Sequence, residues 1–531
     1  MPSPALDPES LDLSEELTLA GRRQSSGSLT PDGRLRSGRL AGLTMGAAIW
    51  ALSWPILGES FLNSLVGLTD TVLSAQLSAA ATDAIGGASY VLWFVGLVAM
   101  AIGVGATALI SRAVGAGRMA VANAATGQSL ILAAAFGVLV GGGLWLSAAP
   151  MSAVLSLRGE AAASFIQYMR IIAFGSPAMM VLSSGIACSR GAGDTVRPLW
   201  AMIVVNVVNM AMSWVLSGVD ISTTSWVGGE PVTRLMLKNP FGFHWGVSGI
   251  AWGTVAGEYV GAAVVVLMLS RGWTGVQLMR RRLRPHWHTL RRLVRVGVPN
   301  FLETFGMWAG NFLIILMVGW LGPSGARGAD AAGDGLLGSH IVAIRIESFS
   351  FLPGFAMGVA AATLAGQYLG AGSAATARRA VLRCAWITAA IMGVVGLGFI
   401  LVPRTITGWV TSQPSHLEIT PRLLMIAGFV QIPFGIGIVF RSALRGAGDV
   451  RWVMWLTWIS TYGVRIPLAF VLSGADVWVR RGDQFAEVLR NPVGLEPSLA
   501  MLWVALCIEI VVRGVLFTAR FLNDGWTKAR V

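Results

Sequence analysis

Charge, cysteine and histidine are all scarce in this chain of 531 residues. Only 12% of the residues are charged, whereas a soluble protein carries roughly 25%. The three cysteines, Cys188, Cys384 and Cys507, lie far apart in mostly apolar surroundings, and the five histidines form no cluster. These shortages exclude a disulfide framework and the residue spacing of a metal site.

Motifs for two kinds of chemistry are also missing. The chain has no GxxxxGK followed by Ser or Thr, the loop that holds nucleotide phosphates, which argues against ATP as an energy source within this chain. It also has no aspartate-rich Mg²⁺ motif and no histidine-rich ligand set. An intramembrane enzyme such as a polyprenyl transferase would need one of these, so we do not expect an enzyme.

Long apolar runs are abundant. Val91–Ile110, Leu130–Leu146 and Ile250–Leu269 are examples, and about 20 apolar residues suffice for a helix to cross the hydrocarbon core of a bilayer. We therefore predict an all-α membrane protein with twelve transmembrane helices. Their expected ranges are 43–77, 86–112, 121–148, 162–189, 197–218, 248–270, 293–320, 336–368, 377–401, 421–444, 452–473 and 498–521.

The first 40 residues differ from the rest. They contain no apolar run of membrane length and are rich in serine, proline and charged residues, so residues 1–40 are predicted to be a disordered cytoplasmic tail. They also lack the apolar centre of a cleavable signal sequence.

Basic residues divide the predicted loops into two groups. The even-numbered connections carry most of the arginines, and the strongest example is LMRRRLRPHWHTLRRLVR at residues 278–295. The odd-numbered connections mix acidic and basic residues. Positively charged loops remain in the cytoplasm, so both termini are expected there. The net charge of +13 is expected to face anionic lipid rather than nucleic acid.

Four landmarks occur twice, in the same order in both halves of the chain. They are RGAGD (190–194 and 445–449), SRAVGAG and GQYLGAG (111–117 and 366–372), WPILGESF and VPNFLETF (54–61 and 298–305), and a Trp–Glu pair six residues apart (Trp252 with Glu258, and Trp503 with Glu509). The first two recur after 255 residues and the third after 244, because extra residues lie in the loop GPSGARGADAAGDG. This order indicates a duplicated six-helix unit.

An even number of helices gives both copies the same sense across the membrane. Residues 41–275 and 296–531 are therefore expected to be two six-helix lobes, joined by a basic cytoplasmic linker at 276–295 and related by a pseudo-twofold axis along the membrane normal. A cavity between lobes that can rock is the physical requirement for alternating access. The RGAGD turns are expected to join consecutive helices, with glycine in left-handed backbone and aspartate capping the next helix.

The same landmarks resemble the multidrug and toxic compound extrusion (MATE) family over residues 43–526. The similarity lies in Pro55 followed after fourteen residues by Asp70–Thr71, the Gly-Ala-Gly after the second helix, the segment Tyr168–Pro177, the RGAGD turn and Asn209. The resemblance implies a twelve-helix, V-shaped exporter that exchanges H⁺ or Na⁺ for organic, often cationic, compounds. A sister family in the same superfamily flips lipid-linked sugars.

The first helix carries the strongest candidate for ion coupling. Glu59, Asn63, Val66 and Asp70 are spaced four, three and four residues apart, so they share one helix face. An acid inside a membrane span is energetically expensive and indicates function. Such a carboxyl can hold a proton while it is buried and release the proton when water returns. We expect Asp70, in the outer half of the helix, to be the main coupling carboxylate, with Asn63 beside it.

The resemblance extends this site to three other helices. Asn209 and Ser213 lie one turn apart on the fifth helix, and Tyr168 and Thr254 occupy positions similar to the family's coupling network. Amides and hydroxyls can coordinate Na⁺ or share a proton network, so Asp70 and Asn209 are candidate Na⁺ ligands. Ser213 stands where some members have a second Asn or Asp, which makes Na⁺ binding less expected. No cofactor is expected besides the coupling ion.

The second lobe departs from the family pattern. Some members carry a Glu at the position of Met307, and others carry an Asp at the position of Phe434. Glu303 lies one turn before Met307, and we expect Glu303 and Glu59 to face the substrate cavity. Flexible methionines such as Met202 and Met307 suit a cavity that accepts many shapes.

Other charged residues fall within the predicted spans and are expected to form ion pairs, because unpaired charges there are costly. They are Arg345, Glu347, Arg465, Glu509 and Arg513, and Glu509 lies one turn before Arg513 on the same helix. Glu258 is expected to have a similar structural role.

These features favour a secondary antiporter of the cell (inner) membrane that exports organic compounds, cationic or amphipathic, in exchange for H⁺ or Na⁺. A lipid-linked oligosaccharide flippase is the alternative in the same superfamily. It would need a larger cavity ringed with arginines, whereas few arginines fall within these spans. An intramembrane enzyme is the more distant alternative. The expected partners are small organic molecules and the lipid bilayer, not nucleic acid, and the protein is expected to be a monomer.

Overall fold

The structure is a computed structural model that describes residues 29–155, 157–227, 230–321, 335–411, 413–481 and 484–529. Its long helices form two sets of six. The first set is α1 (Met45–Leu77), α2 (Ala79–Gly115), α3 (Met119–Val154), α4 (Gly159–Gly191), α5 (Val196–Ser217) and α6 (Val247–Ser270). The second set is α7 (Trp287–Trp320), α8a (Leu336–Ser350) with α8b (Leu352–Gly370), α9 (Ala374–Leu401), α10a (Pro414–Gly428) with α10b (Gln431–Gly446), α11 (Val450–Ser473) and α12 (Leu499–Leu522).

Most of these helices have the length and apolarity of membrane spans. Nine of the described helices could cross a bilayer, and eleven could if the bent pairs α8 and α10 each count as one span. α1 is outside this set although it is 33 residues long, since Glu59, Asp70 and many hydroxyl side chains lower its hydropathy. The prediction of twelve helices in two lobes is confirmed.

Proline accounts for the two bent spans. α8 bends by 45° and α10 by 60° between their two parts. Pro353 is the second residue of α8b and Pro433 is the third residue of α10b. A proline in either place removes a backbone donor and its ring crowds the preceding turn, which breaks the helix just before it. The short helix Pro403–Gly408 between α9 and α10a also begins with proline.

The two lobes meet mainly where α1 and α2 pack against α7 and α8b. Backbones touch directly near the RGAGD turns, a part of the molecule that we call the RGAGD end. A Cβ added to Gly115 would lie 1.9 Å from the carbonyl oxygen of Gln367, and one on Gly370 would lie 2.2 Å from that of Arg112. The side-chain amide of Gln367 also donates to the carbonyl of Gly191 at 3.1 Å. The cleft between the lobes is therefore closed at the RGAGD end.

The RGAGD turns adopt the expected backbone. The second glycine of each motif, Gly193 or Gly448, has a φ of 89°, in the left-handed region that favours glycine. Asp194 accepts a hydrogen bond from the backbone N–H of Arg197 at 3.2 Å, so the predicted cap is confirmed in the first lobe. The prediction is wrong for Asp449, which makes no cap bond.

A pair of β-hairpins, absent from the sequence-based prediction, occupies equivalent places in the two lobes. β1 (Ile221–Val227) pairs with β2 (Glu230–Leu237) between α5 and α6, and β3 (Val477–Arg481) pairs with β4 (Gln484–Leu489) between α11 and α12. Both ladders are antiparallel, and both shift register after the first residue. We call this side of the molecule the hairpin end.

Each hairpin is closed by the same hydrogen bonds. In the first lobe the N–H of Asn239 donates to Asp220 at 2.6 Å, and the Asn239 amide donates to the carbonyl of Trp214 at 2.7 Å. In the second lobe the N–H of Asn491 donates to Asp476 at 2.8 Å. The Asn491 amide donates to the carbonyl of the equivalent α11 residue at 2.6 Å. The hairpins therefore belong to the duplicated unit.

The part of the predicted tail that the structure describes, residues 29–40, is packed against the helices. Residues 1–28 lie outside the described residues, but Leu35 and Leu40 are buried, with 1% and 2% of their surface exposed, in a cluster that includes Phe521. The hydroxyl of Ser37 donates to a backbone carbonyl of α2, and Arg39 pairs with Asp194 at 3.1 Å. The segment 29–43 thus bridges both lobes at the RGAGD end, because its two leucines bury apolar surface despite the polar composition around them.

The predicted linker at 276–295 is also packed. Val276 is buried in the core of the first lobe, and the N–H groups of Gln277 and His286 donate to Asn123 and Gln128 of α3. α7 begins at residue 287, six residues before the predicted start at 293. Helical periodicity therefore continues into a stretch whose arginines made it look like a loop.

We predict that Gly115→Ala destabilises the contact between the lobes. Its methyl group would overlap the backbone of Gln367, and overpacking of this kind costs about 1–3 kcal/mol. The melting temperature of the purified protein should fall by several degrees. Gly143→Ala on α3 is the matched control, since a Cβ there meets nothing within 4 Å. Equal melting temperatures for the two variants would contradict the close approach of α2 and α8b.

Candidate functional site

Four polar side chains from four helices meet inside the first lobe. Asp70 of α1, with 5% of its surface exposed, accepts a hydrogen bond from the hydroxyl of Tyr168 of α4 at 2.8 Å. The hydroxyl of Thr254 of α6 donates to the same carboxylate oxygen at 3.1 Å. The amide of Asn209 of α5 donates to the Thr254 oxygen at 2.9 Å. We call these four residues the Asp70 site.

Small residues on α6 allow this meeting. A Cβ added to Gly253 would lie 2.2 Å from the hydroxyl oxygen of Ser213, and one on Gly257 would lie 3.0 Å from the carbonyl oxygen of Val205. Glycine lets two membrane helices approach until their backbones nearly touch. Because α5 and α6 come so close, the amide of Asn209 can reach Thr254.

Two other residues predicted for this site lie outside it. Ser213 is buried one turn after Asn209, and its hydroxyl donates to the carbonyl of Ile250 at 3.2 Å. It therefore joins α5 to α6 without a hydrogen bond to Asp70. Asn63 is exposed two turns before Asp70 on α1. The polar face of α1 that contains Asn63 and Asp70 extends over several turns. Only the turn with Asp70 reaches the Asp70 site.

The groups bonded to the Asp70 carboxylate are neutral hydroxyls, and no arginine or lysine among the described residues is bonded to it. The Oδ1 atom of Asn209 is buried and has no hydrogen-bond partner in the described part of the chain. Carboxylate, amide and hydroxyl oxygens suit a proton or a small hard cation. The site can therefore change its net charge by binding one ion.

No group of three or more His, Cys, Asp or Glu in the described ranges could hold a metal ion. The candidate Na⁺ ligands, Asp70 and Asn209, are linked through Thr254, so they lie in the same pocket. A Na⁺ site here would consist of one carboxylate with amide and hydroxyl oxygens. Ligands of this kind are those that the sequence predicts for a Na⁺ site at Asp70 and Asn209.

The two glutamates expected to face the substrate cavity are each paired with arginine. Glu59 is buried and lies 2.7 Å from Arg190 of the first RGAGD turn. Glu303 is 0% exposed and lies 2.6 Å from Arg441 and 2.7 Å from Arg445 of the second turn. A carboxylate neutralised in this way has little attraction for a cationic substrate.

These ion pairs are a repeated feature that sequence reasoning missed. Glu303 follows Glu59 by 244 residues and Arg445 follows Arg190 by 255, which are the offsets of the two landmarks that carry them. The signal was therefore present in the repeat itself. It went unread because each glutamate and its arginine are more than 130 residues apart in sequence.

The two methionines expected in the cavity also have other surroundings. Met202 is buried in the core of the first lobe. Met307 is half-buried, and its sulfur accepts a hydrogen bond from the Arg513 guanidinium at 3.4 Å. Met202 is thus part of the packing of its own lobe.

The predicted ion pair within α12 is confirmed. Glu509 lies 2.6 Å from Arg513, one turn away, and 3.0 Å from Arg465 of α11. Ser460 also donates to Glu509, and Asn311 of α7 accepts from Arg465. The buried carboxylate of Glu509 is therefore held in place by several partners.

An extra residue in α11 explains why the two lobes carry different residues at the position of Asn209. The segment Ile459–Arg465 is a π-helix, which takes up one additional residue. The RGAGD motifs recur after 255 residues, whereas the Gly-x-Asp motifs at 218–220 and 474–476 recur after 256. Arg465 consequently stands at the position equivalent to Asn209. An arginine thus replaces one member of the Asp70 site in the second lobe.

Comparisons with known proteins agree with this architecture. The family model described as MatE matches residues 55–215 and 299–471, one segment in each lobe. The probable multidrug resistance protein NorM of Thermotoga maritima is 29% identical over 489 residues, which cover 90% of this chain and 93% of that protein. The multidrug resistance protein PmpM of Pseudomonas aeruginosa is 23% identical over 485 residues, covering 89% and 92%.

Solved structures show the same fold. A multidrug resistance MATE family transporter of the MOP superfamily, solved in an outward-facing conformation, matches with a TM-score of 0.76 at 19% identity. The match covers 92% of this chain and 97% of that one. At this identity the comparison concerns the arrangement of helices alone.

We predict that Glu303→Gln strongly destabilises the protein. It would leave two arginines without their buried partner, and breaking a buried ion pair costs roughly 3–5 kcal/mol. Asp524→Asn is the matched control, because the Arg378–Asp524 pair is 40% and 51% exposed and an exposed pair contributes about 0–1 kcal/mol. Chemical unfolding of the purified variants would measure both changes. A loss for Glu303→Gln no larger than that of the control would show that this cluster is not structural.

Proposed function

The chain belongs to the MatE family, whose members are transporters rather than enzymes, and from this premise we propose that it is a secondary active antiporter. It exports organic compounds, cationic or amphipathic, in exchange for H⁺ or Na⁺ by alternating access. The observation that carries the proposal is the Asp70 site, in which a buried carboxyl has only neutral hydrogen-bond donors. Relatives with multidrug resistance names that match the chain nearly end to end support the class of substrate.

Ion binding at Asp70 is the coupling step of this mechanism. Two hydroxyl donors stabilise the charged carboxylate while the site is hydrated. A proton or Na⁺ that binds there neutralises the carboxylate, and a neutral site can be enclosed by apolar helices at much lower cost than a charged one. The free Oδ1 of Asn209 is positioned as a further acceptor or ligand. Ion occupancy therefore biases the lobe between a hydrated and a closed arrangement.

The contacts between the lobes close the cleft on one side of the molecule. The cleft is closed at the RGAGD end by the backbone contacts of Gly115 and Gly370. The positive-inside rule places the RGAGD turns and both termini in the cytoplasm, so the cleft is shut towards the cytoplasm. Asp70 lies seven residues before the hairpin end of α1, about 10 Å along the axis. The coupling carboxyl thus lies nearer the outer side.

The arginines of the second lobe favour export over lipid-linked sugar flipping. A pyrophosphate group would need free guanidinium groups. Arg441 and Arg445 are hydrogen-bonded to Glu303, and Arg465 and Arg513 to Glu509. These glutamates already take up much of the hydrogen-bonding capacity of the four arginines. The protein is proposed to act as a monomer in the lipid bilayer of the cell membrane.

We predict that Asp70→Asn abolishes gradient-driven export. The purified protein is reconstituted in vesicles, a pH gradient or a Na⁺ gradient is imposed separately, and movement of a fluorescent organic cation is followed. The wild type should respond to at least one gradient, which identifies the coupling ion. The asparagine variant should respond to neither, because its side chain is nearly the same size and never carries the charge that the ion neutralises.

Asp83→Asn is the matched control for this experiment. It removes the same charge from an exposed position on α2, so its transport should equal that of the wild type. Gradient-driven transport that persists in Asp70→Asn would remove Asp70 from the coupling mechanism.

A further inference from the structure

A second carboxyl lies one turn from the Asp70 site. Glu258 is the twelfth of the 24 residues of α6, near the middle of the span, and it follows Thr254 by four residues. Its Oε2 atom is buried and has no hydrogen-bond partner among the described residues. Gly175 of α4 leaves room for this atom, since a Cβ there would lie 2.6 Å from it. Glu258 is half-buried as a whole, but this carboxylate oxygen is enclosed by helices and unpaired.

The duplication supplies an internal control for Glu258. Its equivalent in the second lobe is Glu509, because each glutamate follows the matched tryptophan of its helix by six residues. Glu509 is held by Arg465 at 3.0 Å and by Arg513 at 2.6 Å. One position of the repeated unit thus carries an acid within the span in both lobes, but only the second lobe supplies bases for it.

The first lobe has lost or never acquired these bases. Arg465 is equivalent to Asn209, as the one-residue insertion in α11 shows, and Arg513 is equivalent to Ala262 at the offset of 251 that relates α6 to α12. An amide and a methyl group therefore stand where Glu509 finds two guanidinium groups. Glu258 cannot form the ion pair that its counterpart forms.

The helices around Glu258 offer no other base. α6 packs against α1, α4 and α5, and all four helices are fully described. Apart from Glu258, Asp70 and the buried thiol of Cys188, their ionisable groups are bonded to other partners or exposed. They are Glu59 with Arg190, Arg197 with Asp194, Arg170 stacked on Trp145, Tyr168 bonded to Asp70, Tyr259 bonded to the carbonyl of Phe174, and the exposed Glu160. An acid at mid-membrane with no base to bond is stable only in its neutral, protonated form.

We propose that Glu258 is the second proton-binding residue of the transport cycle. Each substrate molecule is then exchanged for two protons, one carried by Asp70 and one by Glu258. Both protons bind from the side on which the cleft is hydrated, and both leave on the other side when the carboxyls are rehydrated. Thr254, bonded to Asp70 and one turn from Glu258, places the two carboxyls about 6 Å apart in depth. This inference rests on the proposed function and assigns H⁺ as the coupling ion.

Proton counting tests this proposal. Purified protein in weakly buffered detergent solution is titrated with ethidium, an organic cation whose fluorescence reports binding, while a pH indicator counts the protons released. At pH values where both carboxyls are protonated, the wild type should release about two protons per ethidium bound, since proton release equals the difference in protonation between the two states. Asp70→Asn and Glu258→Gln should each release about one, and the double variant none.

Two further variants separate proton binding from a structural role. Glu258→Asp keeps a carboxyl and should release the second proton again, although its side chain is shorter. Glu160→Gln removes an exposed carboxyl from α4 and should release as many protons as the wild type. Melting temperatures of all variants show that the counts come from folded protein.

Three results would contradict the inference, and the first two distinguish its failure from that of the proposed function. A wild type that releases one proton, lost in Asp70→Asn and unchanged in Glu258→Gln, removes Glu258 and leaves the proposed function intact. A wild type that binds ethidium, releases no proton, and transports equally well as Asp70→Asn removes the proposed function together with this inference. Failure of Glu258→Asp to release the second proton also counts against Glu258.

Discussion

A carboxyl that is buried in a lipid bilayer must have either an opposite charge or a proton, and the two lobes meet this constraint differently. In the second lobe, Glu303 and Glu509 are each bonded to two arginines, so their charge is permanent. In the first lobe, Asp70 and Glu258 have no basic partner among the described residues, which is why we propose that their charge depends on ion occupancy. Glu59 of the first lobe is paired with Arg190 just as Glu303 is paired with Arg445, so the contrast between the lobes lies at Asp70 and Glu258.

The repeated ion pairs also explain how the lobes can move as units. Arg190 and Arg445 belong to the RGAGD turns, and each holds a glutamate on the first helix of its own lobe. These bonds brace each lobe internally, while the contacts between lobes rely on close backbone approaches such as that of Gly115. Van der Waals contacts of small residues can separate and form again without exposing an unpaired charge. In the alternating-access cycle that we propose, rocking breaks van der Waals contacts between the lobes and leaves the ion pairs within each lobe intact.

Much of the fold could be predicted because a bilayer imposes simple rules on composition. The architecture is predicted by twelve apolar segments, two copies of RGAGD and the alternation of basic loops. The acid spacing on α1 identifies Asp70 as a candidate site residue. The partners of Glu59 and Glu303 could not be found by helix periodicity, because they lie on other helices far along the chain. The hairpins also escaped prediction, since their strands follow apolar spans and have no clear alternation of their own. The buried leucines at 35 and 40 were hidden by the polar residues around them.

The matched hairpins also bear on the history of the chain. Asp220 with Asn239 and Asp476 with Asn491 close their loops through the same bonds at the same point of each lobe. Two separate insertions would not arrive at one pattern of residues. The hairpin was therefore already part of the six-helix unit when that unit was duplicated.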